Sequence, residues 1–265
     1  MITGHTLFAP LLAHPCSHVR TPGVFNAACA RRDIDMVMVP VDIPQQGLAE
    51  LVSALRQSAN LAGFVVTIPH KTPIAALCDR LPGAAEMLGV CNVVRKEADG
   101  TLTGAMFDGE GFVAGLRHCG HDPAGRRALL IGAGGAASGV AHALVAAGVA
   151  QLTIMNRSEE KARHLAYLLR ARFPDANIAL HADHGEPHDV VINGTSLGMQ
   201  PSDPLPMSAD SLPPGALVAE VVMPPDIPPF LDAARARGHD IHKGVHMVEQ
   251  QVNLLIDFLR CTTTA

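Results

Sequence analysis

The sequence contains no tryptophan, a single tyrosine (Tyr167) and only 3% aromatic residues. Proteins that stack nucleobases or anchor partners through aromatic side chains are richer in them, which argues against both binding classes. An excess of positive charge is also missing. Twenty Lys and Arg stand against 25 Asp and Glu, a net charge of −5, so there is no general attraction for nucleic acid or an acidic membrane. Heptads, internal repeats and long charge runs are absent, which excludes fibrous, solenoid and tail-driven classes. The cysteines Cys16, Cys29, Cys78, Cys91, Cys119 and Cys261 include no C-x-x-C pair; scattered in this way they read as reduced, mostly buried thiols of a cytoplasmic protein. The N-terminus, MITGHTLFAPLLAHPC, lacks the basic n-region of a signal peptide. Nothing between Arg127 and Arg157 is charged, but Gly132, Gly134, Gly135, Gly139 and Gly148 divide this run into strand, turn, helix and strand rather than a membrane span.

What remains is 265 residues, 48% hydrophobic and 17% charged, enough for a sizeable aliphatic core in one large unit or two modest domains. The patterning is that of an α/β protein. Asp35–Val41 and Gly63–Ile68 read as strands flanking an amphipathic helix over Gly47–Ala59, a βαβ unit of parallel sheet. A hairpin follows, Asn92–Arg95 with Leu102–Gly104, turned at Ala98-Asp99-Gly100. Strands are then expected at Arg127–Ile131, Gln151–Asn156, Asn177–His181, Asp189–Asn193 and Leu217–Val222. Helices are expected at Gly135–Ala147, Glu159–Phe173, Pro229–Arg237 and Val245–Leu259. We divide the chain into a substrate domain, 1–105 joined by 241–265, and a Rossmann domain, 106–240, with a cleft between them as the expected ligand site.

The most specific motif is Gly132-Ala133-Gly134-Gly135-Ala136-Ala137, a G-x-G-x-x-A run directly after a strand and opening a helix. Gly132 permits a tight turn, Gly134 lets backbone approach a pyrophosphate, Ala137 allows close helix–strand packing, and the helix N-terminus offers amide donors. Where an NAD site carries an acidic residue at the end of the next strand, this chain reads Asn156-Arg157-Ser158 with Lys161 beyond. Arg157 and Lys161 suit a 2′-phosphate and favour NADP, with NAD as the alternative; the plainer alternative is two solvated basic residues at a helix start. In the first half, Thr67-Ile68-Pro69-His70-Lys71 ends a strand, where α/β ligand sites gather, and Lys71 is one of only four lysines.

These residues resemble the shikimate dehydrogenase family along essentially the whole chain. The likeness is carried by VTIPHK at Val66–Lys71, GVCNVV at Gly89–Val94, MFDGEG at Met106–Gly111, the glycine motif, NRS at Asn156–Ser158, NGTSLGM at Asn193–Met199 and Gln251 on the last helix. The resemblance implies that Lys71 and Asp108 form a catalytic pair, the lysine giving a proton to a ketone oxygen as hydride arrives. Thr67, Asn92 and Gln251 would hold ring hydroxyls, and Thr21 the substrate carboxylate. The cofactor residues would be Gly132, Gly134, Gly135, Ala136, Asn156, Arg157, Ser158, Lys161, Thr195, Ser196, Val222 and Gly244. The chain also departs from the family. Its H-S-x-S-P becomes His18-Val19-Arg20-Thr21-Pro22, its N-T before the aspartate becomes Met106-Phe107, and its late tyrosine becomes Met223.

The implied activity is NADP-dependent reduction of 3-dehydroshikimate or a close analogue. The alternatives are quinate or aminoshikimate as substrate, or an NADP(H)-binding sensor with little catalysis. The partner would be a small carboxylated ring, with no nucleic acid or membrane, acting on a monomer or homodimer. No metal is required. His181, His184 and His188 read as a polar loop, and His239, His242 and His246 as exposed histidines rather than ligands.

Overall fold

The computed structural model describes residues 2–180, 187–200, 202–223 and 225–261. The chain divides into two compact units after Phe107 and after Gln250. Residues 241–250, placed with the first domain from the sequence, belong instead to the second unit, because Ile241–His242 forms a strand of its sheet.

The first unit begins β1 (Leu7–Phe8), β2 (Leu11–Ala13), α1 (Thr21–Arg31), β3 (Met36–Val37), β4 (Pro40–Asp42) and α2 (Leu48–Arg56). It continues through β5 (Gly63–Val66), α3 (Lys71–Ala75), α4 (Ala84–Leu88), β6 (Val93–Lys96) and β7 (Leu102–Ala105). Its main sheet has the order β4-β2-β5-β6-β7. β2 is parallel to β4 and β5, and β6 and β7 complete it as the expected antiparallel hairpin.

Side chains alternate across a sheet with a period of two, and both faces here are apolar. Leu11, Ala13, Val65 and Val93 face one cluster with Phe25 and Cys29 of α1 and with Val252, Leu255, Ile256 and Leu259 of the last helix. Leu12, Phe64, Val66 and Val94 face the other, with Leu48 and Val52 of α2 and Ile74 of α3. The last helix therefore packs back on the first unit, as expected. Arg95, ion-paired with Glu97 at 2.7 Å, also donates to the Phe258 carbonyl at 3.3 Å and lies over its ring.

The strand expected at Asp35–Val41 is broken in two. Asn26 donates to the Met38 carbonyl at 2.9 Å and accepts from the Met38 amide at 2.7 Å, so a side chain takes the place of a strand neighbour there. β3 pairs with β1 in a separate two-stranded sheet, and β4 joins β2.

The second unit contains α5 (Asp108–His118), β8 (Arg127–Ile131), α6 (Gly135–Ala146), β9 (Gln151–Met155), α7 (Glu159–Arg172) and β10 (Ile178–Leu180). It then runs through β11 (Val190–Asn193), β12 (Leu217–Glu220), α8 (Pro229–Arg235), β13 (Ile241–His242) and the start of α9 (Val245–Arg260). All strands of its sheet are parallel, in the order β10-β9-β8-β11-β12-β13. With β8 counted first this is the 3-2-1-4-5-6 order of the dinucleotide-binding fold. β8 and β11 are buried along nearly their whole length, as a sheet covered on both faces requires.

α5 forms over a glycine-rich stretch where the sequence pattern predicts no helix. Its three glycines disfavour a helix, but packing overrides that preference. A Cβ on Gly109 would lie 2.0 Å from the Gly139 carbonyl oxygen of α6, and one on Gly115 3.1 Å from the His246 backbone. Among the described residues, no helix is long and apolar enough to cross a membrane.

Candidate active site

In the second unit the expected cofactor residues gather at the carboxyl ends of the parallel strands, on either side of the switch between β8 and β11, where such sheets bind ligands. Gly132 leaves β8 at φ 118°, a conformation L side chains rarely adopt. A Cβ there would press on Gly194 and Thr195 at 3.1 Å, and one on Gly194 would meet Ala137 of α6 at 2.8 Å. The turn after β8, the start of α6 and the turn after β11 are thus held together by missing side chains. Gly134 differs. It has ordinary extended φ and ψ as the residue before α6, and the place of its Cβ is open space, so its lack of a side chain leaves the helix N-terminus free for an anion.

The other expected cofactor residues follow along the same row of strand ends. After β9, Asn156 donates to the Ser158 carbonyl at 2.8 Å, and Ser158 caps α7 by accepting from the Lys161 amide. Arg157 and Lys161 are exposed and make no ion pair among the described residues. After β11, Thr195 is part-buried and Ser196 exposed. After β12, Val222 is buried and Gly244 packs on it so closely that a Cβ would lie 2.4 Å from the Val222 oxygen. An open helix N-terminus between glycines, two uncommitted cations and no acidic residue at the end of β9 fit a dinucleotide carrying a 2′-phosphate.

Two residues outside the expected set organise this row. Asn193 and Glu220 end β11 and β12 in register, and both are fully buried. Asn193 Nδ2 donates to Glu220 Oε1 and Oε2 at 3.0 and 2.9 Å, while its Oδ1 accepts from the Thr195 amide and hydroxyl. Burial raises the Glu220 pKa to about 8, against the pull of the Asn193 amide. Asn193 opens the NGTSLGM run, but Glu220 sits in an ordinary apolar strand pattern, and only strand register pairs the two.

In the first unit, several of the expected substrate residues lie where the interior strand β5 ends and its neighbour β6 begins. Thr67 follows β5, and the Val66 amide donates to the Asn92 carbonyl at 2.8 Å. Asn92 is buried, and its Oδ1 accepts from the amide of Phe107, the residue before Asp108. The Lys71 carbonyl accepts from the Cys91 amide at 3.0 Å, which ties the start of α3 to the segment leading into Asn92. His70 is buried with Nε2 on the Ile43 carbonyl at 2.9 Å, so that nitrogen carries the proton. Burial keeps its pKa low, and the ring pins the turn that presents Lys71. Thr21 is buried at the first position of α1, and Gln251 is buried on α9. Asp108 is buried at the start of α5 in the second unit.

Several expectations change. Val19 and Phe107 pack against the first unit's apolar cluster, Phe107 edge-on to Phe258, and Met106 is buried in the other cluster, so these departures from the family pattern fill core. Arg20 is exposed. Of the six cysteines only Cys29 and Cys91 are buried, because the others sit on loops and element ends. His242, expected exposed, is 1% exposed, and neither ring nitrogen is hydrogen-bonded among the described residues. It lies in β13, which the sequence reading missed, against Phe112 and His246. His181 and His184 lie outside the described residues, whereas His188 is buried.

Fold and site together define a nucleotide-dependent oxidoreductase, a Rossmann unit joined to a unit that presents a lysine and polar residues at the ends of its interior strands. Residues 11–94 match the shikimate dehydrogenase substrate binding domain, and residues 117–200 match the shikimate / quinate 5-dehydrogenase family. The chain is 41% identical over 244 residues to shikimate dehydrogenase (NADP(+)) of Rubrobacter xylanophilus, covering 89% of this chain and 84% of that one. Shikimate 5-dehydrogenase from Listeria monocytogenes, solved with shikimate and NAD, superposes with TM-score 0.81 at 30% identity, covering 97% of this chain and 98% of that one. The 5-ketofructose reductase of Gluconobacter sp. strain CHM43 superposes with TM-score 0.84, also at 30% identity, covering 97% and 94%. The chain belongs to the shikimate dehydrogenase family and is an NADP-dependent oxidoreductase of that type.

Proposed function

We propose that the protein interconverts 3-dehydroshikimate, or a close analogue, and shikimate. The observation that carries this reading is the end of the interior strands β5 and β6 in the first unit, where Thr67, Lys71 and Asn92 are held together by backbone hydrogen bonds and a buried histidine. NADPH supplies the hydride when bound. Gly132, Gly134, Gly135 and Ala136 would hold its pyrophosphate, and Asn156, Arg157, Ser158 and Lys161 its adenosine end. Thr195, Ser196, Val222 and Gly244 continue along the same strand ends. Lys71 gives a proton to the ketone oxygen in reduction and takes it back in oxidation. Asp108 hydrogen-bonds the reacting hydroxyl. Thr67, Asn92 and Gln251 orient the ring hydroxyls, and Thr21 meets the carboxylate. The protein acts in the cytoplasm as a monomer or homodimer, without nucleic acid or membrane partners.

A second reading rests on Val19, which packs toward core where the family pattern has a hydroxyl, and on the likeness to the 5-ketofructose reductase. A site with fewer donors at its carboxylate end would accept a polyhydroxylated ketone lacking that carboxylate more readily than the family's usual substrate. NADPH formation with shikimate, quinate and a reduced ketosugar, each against Lys71→Ala, separates the two readings. Shikimate turnover that falls about 10²–10⁴-fold in Lys71→Ala supports the first. Turnover of the sugar alone supports the second. Turnover untouched by Lys71→Ala overturns the assignment of the proton donor.

A further inference from the structure

We infer that Glu220 is a positioning residue for cofactor binding, acting through Asn193 on the Thr195 turn. The inference rests on the cofactor reading above. An ionised or neutral carboxyl turned toward an amide NH₂ offers it two acceptor oxygens. Glu220 does so at 3.0 and 2.9 Å, and Asn193 Nδ2 also donates to the Leu197 carbonyl at 3.0 Å. With its NH₂ committed in this way, Asn193 can present only Oδ1 to the turn. That oxygen accepts from the Thr195 amide at 3.0 Å and the Thr195 hydroxyl at 2.7 Å, and the same hydroxyl accepts from the Leu197 amide at 3.0 Å. One buried carboxyl therefore sets the orientation of an amide, and the amide sets a turn of the chain.

That turn is not remote from the proposed cofactor row. Gly132, at φ 118°, is packed tightly against this turn, with Gly194 and the Thr195 methyl 3.1 Å from where a Cβ would be. A Thr195 turn that relaxed would shift the wall against which the pyrophosphate turn is packed. Nothing in the apolar core of β12 calls for a carboxyl at this position. A buried acid that meets the Asn193 amide and the Val221 and Val222 backbone amides, with no cation beside it among the described residues, is costly to keep, which is the mark of a group retained for orientation.

The test uses the full-length protein and two variants. Glu220→Gln keeps one acceptor oxygen for Asn193 Nδ2, whereas Glu220→Ala removes both. NADPH affinity, read from its fluorescence on titration with protein, should fall about tenfold or more in Glu220→Ala and less than about threefold in Glu220→Gln. Amide hydrogen exchange without cofactor should accelerate at Thr195 and Leu197 in the alanine variant while β8 and β9 stay protected. Wild-type affinity in a folded Glu220→Ala overturns the inference, as does equal loss in both variants accompanied by faster exchange throughout the sheet. Should the alanine variant fail to fold, Glu220→Gln decides alone: faster exchange confined to the Thr195 turn with a measurable loss of affinity supports the inference, and wild-type values for both overturn it. Wild-type protein that binds no NADPH would instead overturn the cofactor reading.

Discussion

At the scale of single residues, the chemistry is set by what each polar group is given as a partner. Arg157 is exposed and free of carboxylates among the described residues, so its positive charge is available to a 2′-phosphate. Arg157→Ala should lower the preference for NADP over NAD by about tenfold, equivalent to about 1.4 kcal/mol, when binding of the two dinucleotides is compared side by side. Unchanged preference would move the selectivity to Lys161 or elsewhere. His242 and Glu220 pull stability in opposite directions with pH. Burial, helped by the nearby His246 and His121, lowers the His242 pKa to about 4, so the unfolded chain takes up that proton first. Its contribution is present above about pH 6.5 and is lost as pH falls toward 4. Glu220, raised to about 8, contributes below about pH 4.5, and that contribution is lost as pH rises through 8. Melting temperatures across pH 4–9 should therefore vary less at the acid end in His242→Leu and less at the alkaline end in Glu220→Gln. A wild-type profile in either variant would count against the residue concerned.

At the scale of elements, glycines of different kinds do different work. Gly109 exists because α5 presses on α6, where a Cβ would lie 2.0 Å from the Gly139 oxygen. Gly109→Ala must push the two helices apart, and overpacking of this kind costs about 1–3 kcal/mol. Urea unfolding should report a lower midpoint, and a midpoint equal to wild type would mean the helices separate freely. A Cβ on Gly134 would meet no protein atom within 4 Å, so Gly134→Ala should leave the midpoint unchanged and weaken NADPH binding, read by fluorescence titration. Most elements of the second unit were legible in the sequence. Long apolar runs such as Arg127–Ile131 and the amphipathic stretch Glu159–Arg172 carry strong periodic signals, and both formed within a residue of expectation. α5 and β13 were not legible. A glycine-rich helix and a two-residue strand have no periodicity to read, and they form because neighbouring backbone is there to receive them.

At the scale of the whole molecule, the chain leaves the first unit at Phe107 and returns to it at Gln251. The C-terminal residues close a core begun more than two hundred residues earlier, through Val252, Leu255, Ile256 and Leu259. A chain ending at Gln250 should lose protection of β2, β5 and β6 in hydrogen exchange while β8, β9 and β11 keep theirs. Equal loss in both sheets would mean that the two units fold as one. The last helix could be read as apolar from its pattern, but the core it completes could not.

The sequence by itself determined the α/β class, the glycine turn after β8, the basic end of the cofactor strand and the lysine after Pro69. Each of these depends on neighbours within a few residues or on a motif the chain spells out in order. Only the tertiary structure decided that Met106 fills core, that Gly109 serves helix packing, that His242 is buried and that Glu220 meets Asn193 at the Thr195 turn. Those outcomes depend on strand register and helix contact between segments tens of residues apart, and local pattern carries no record of them.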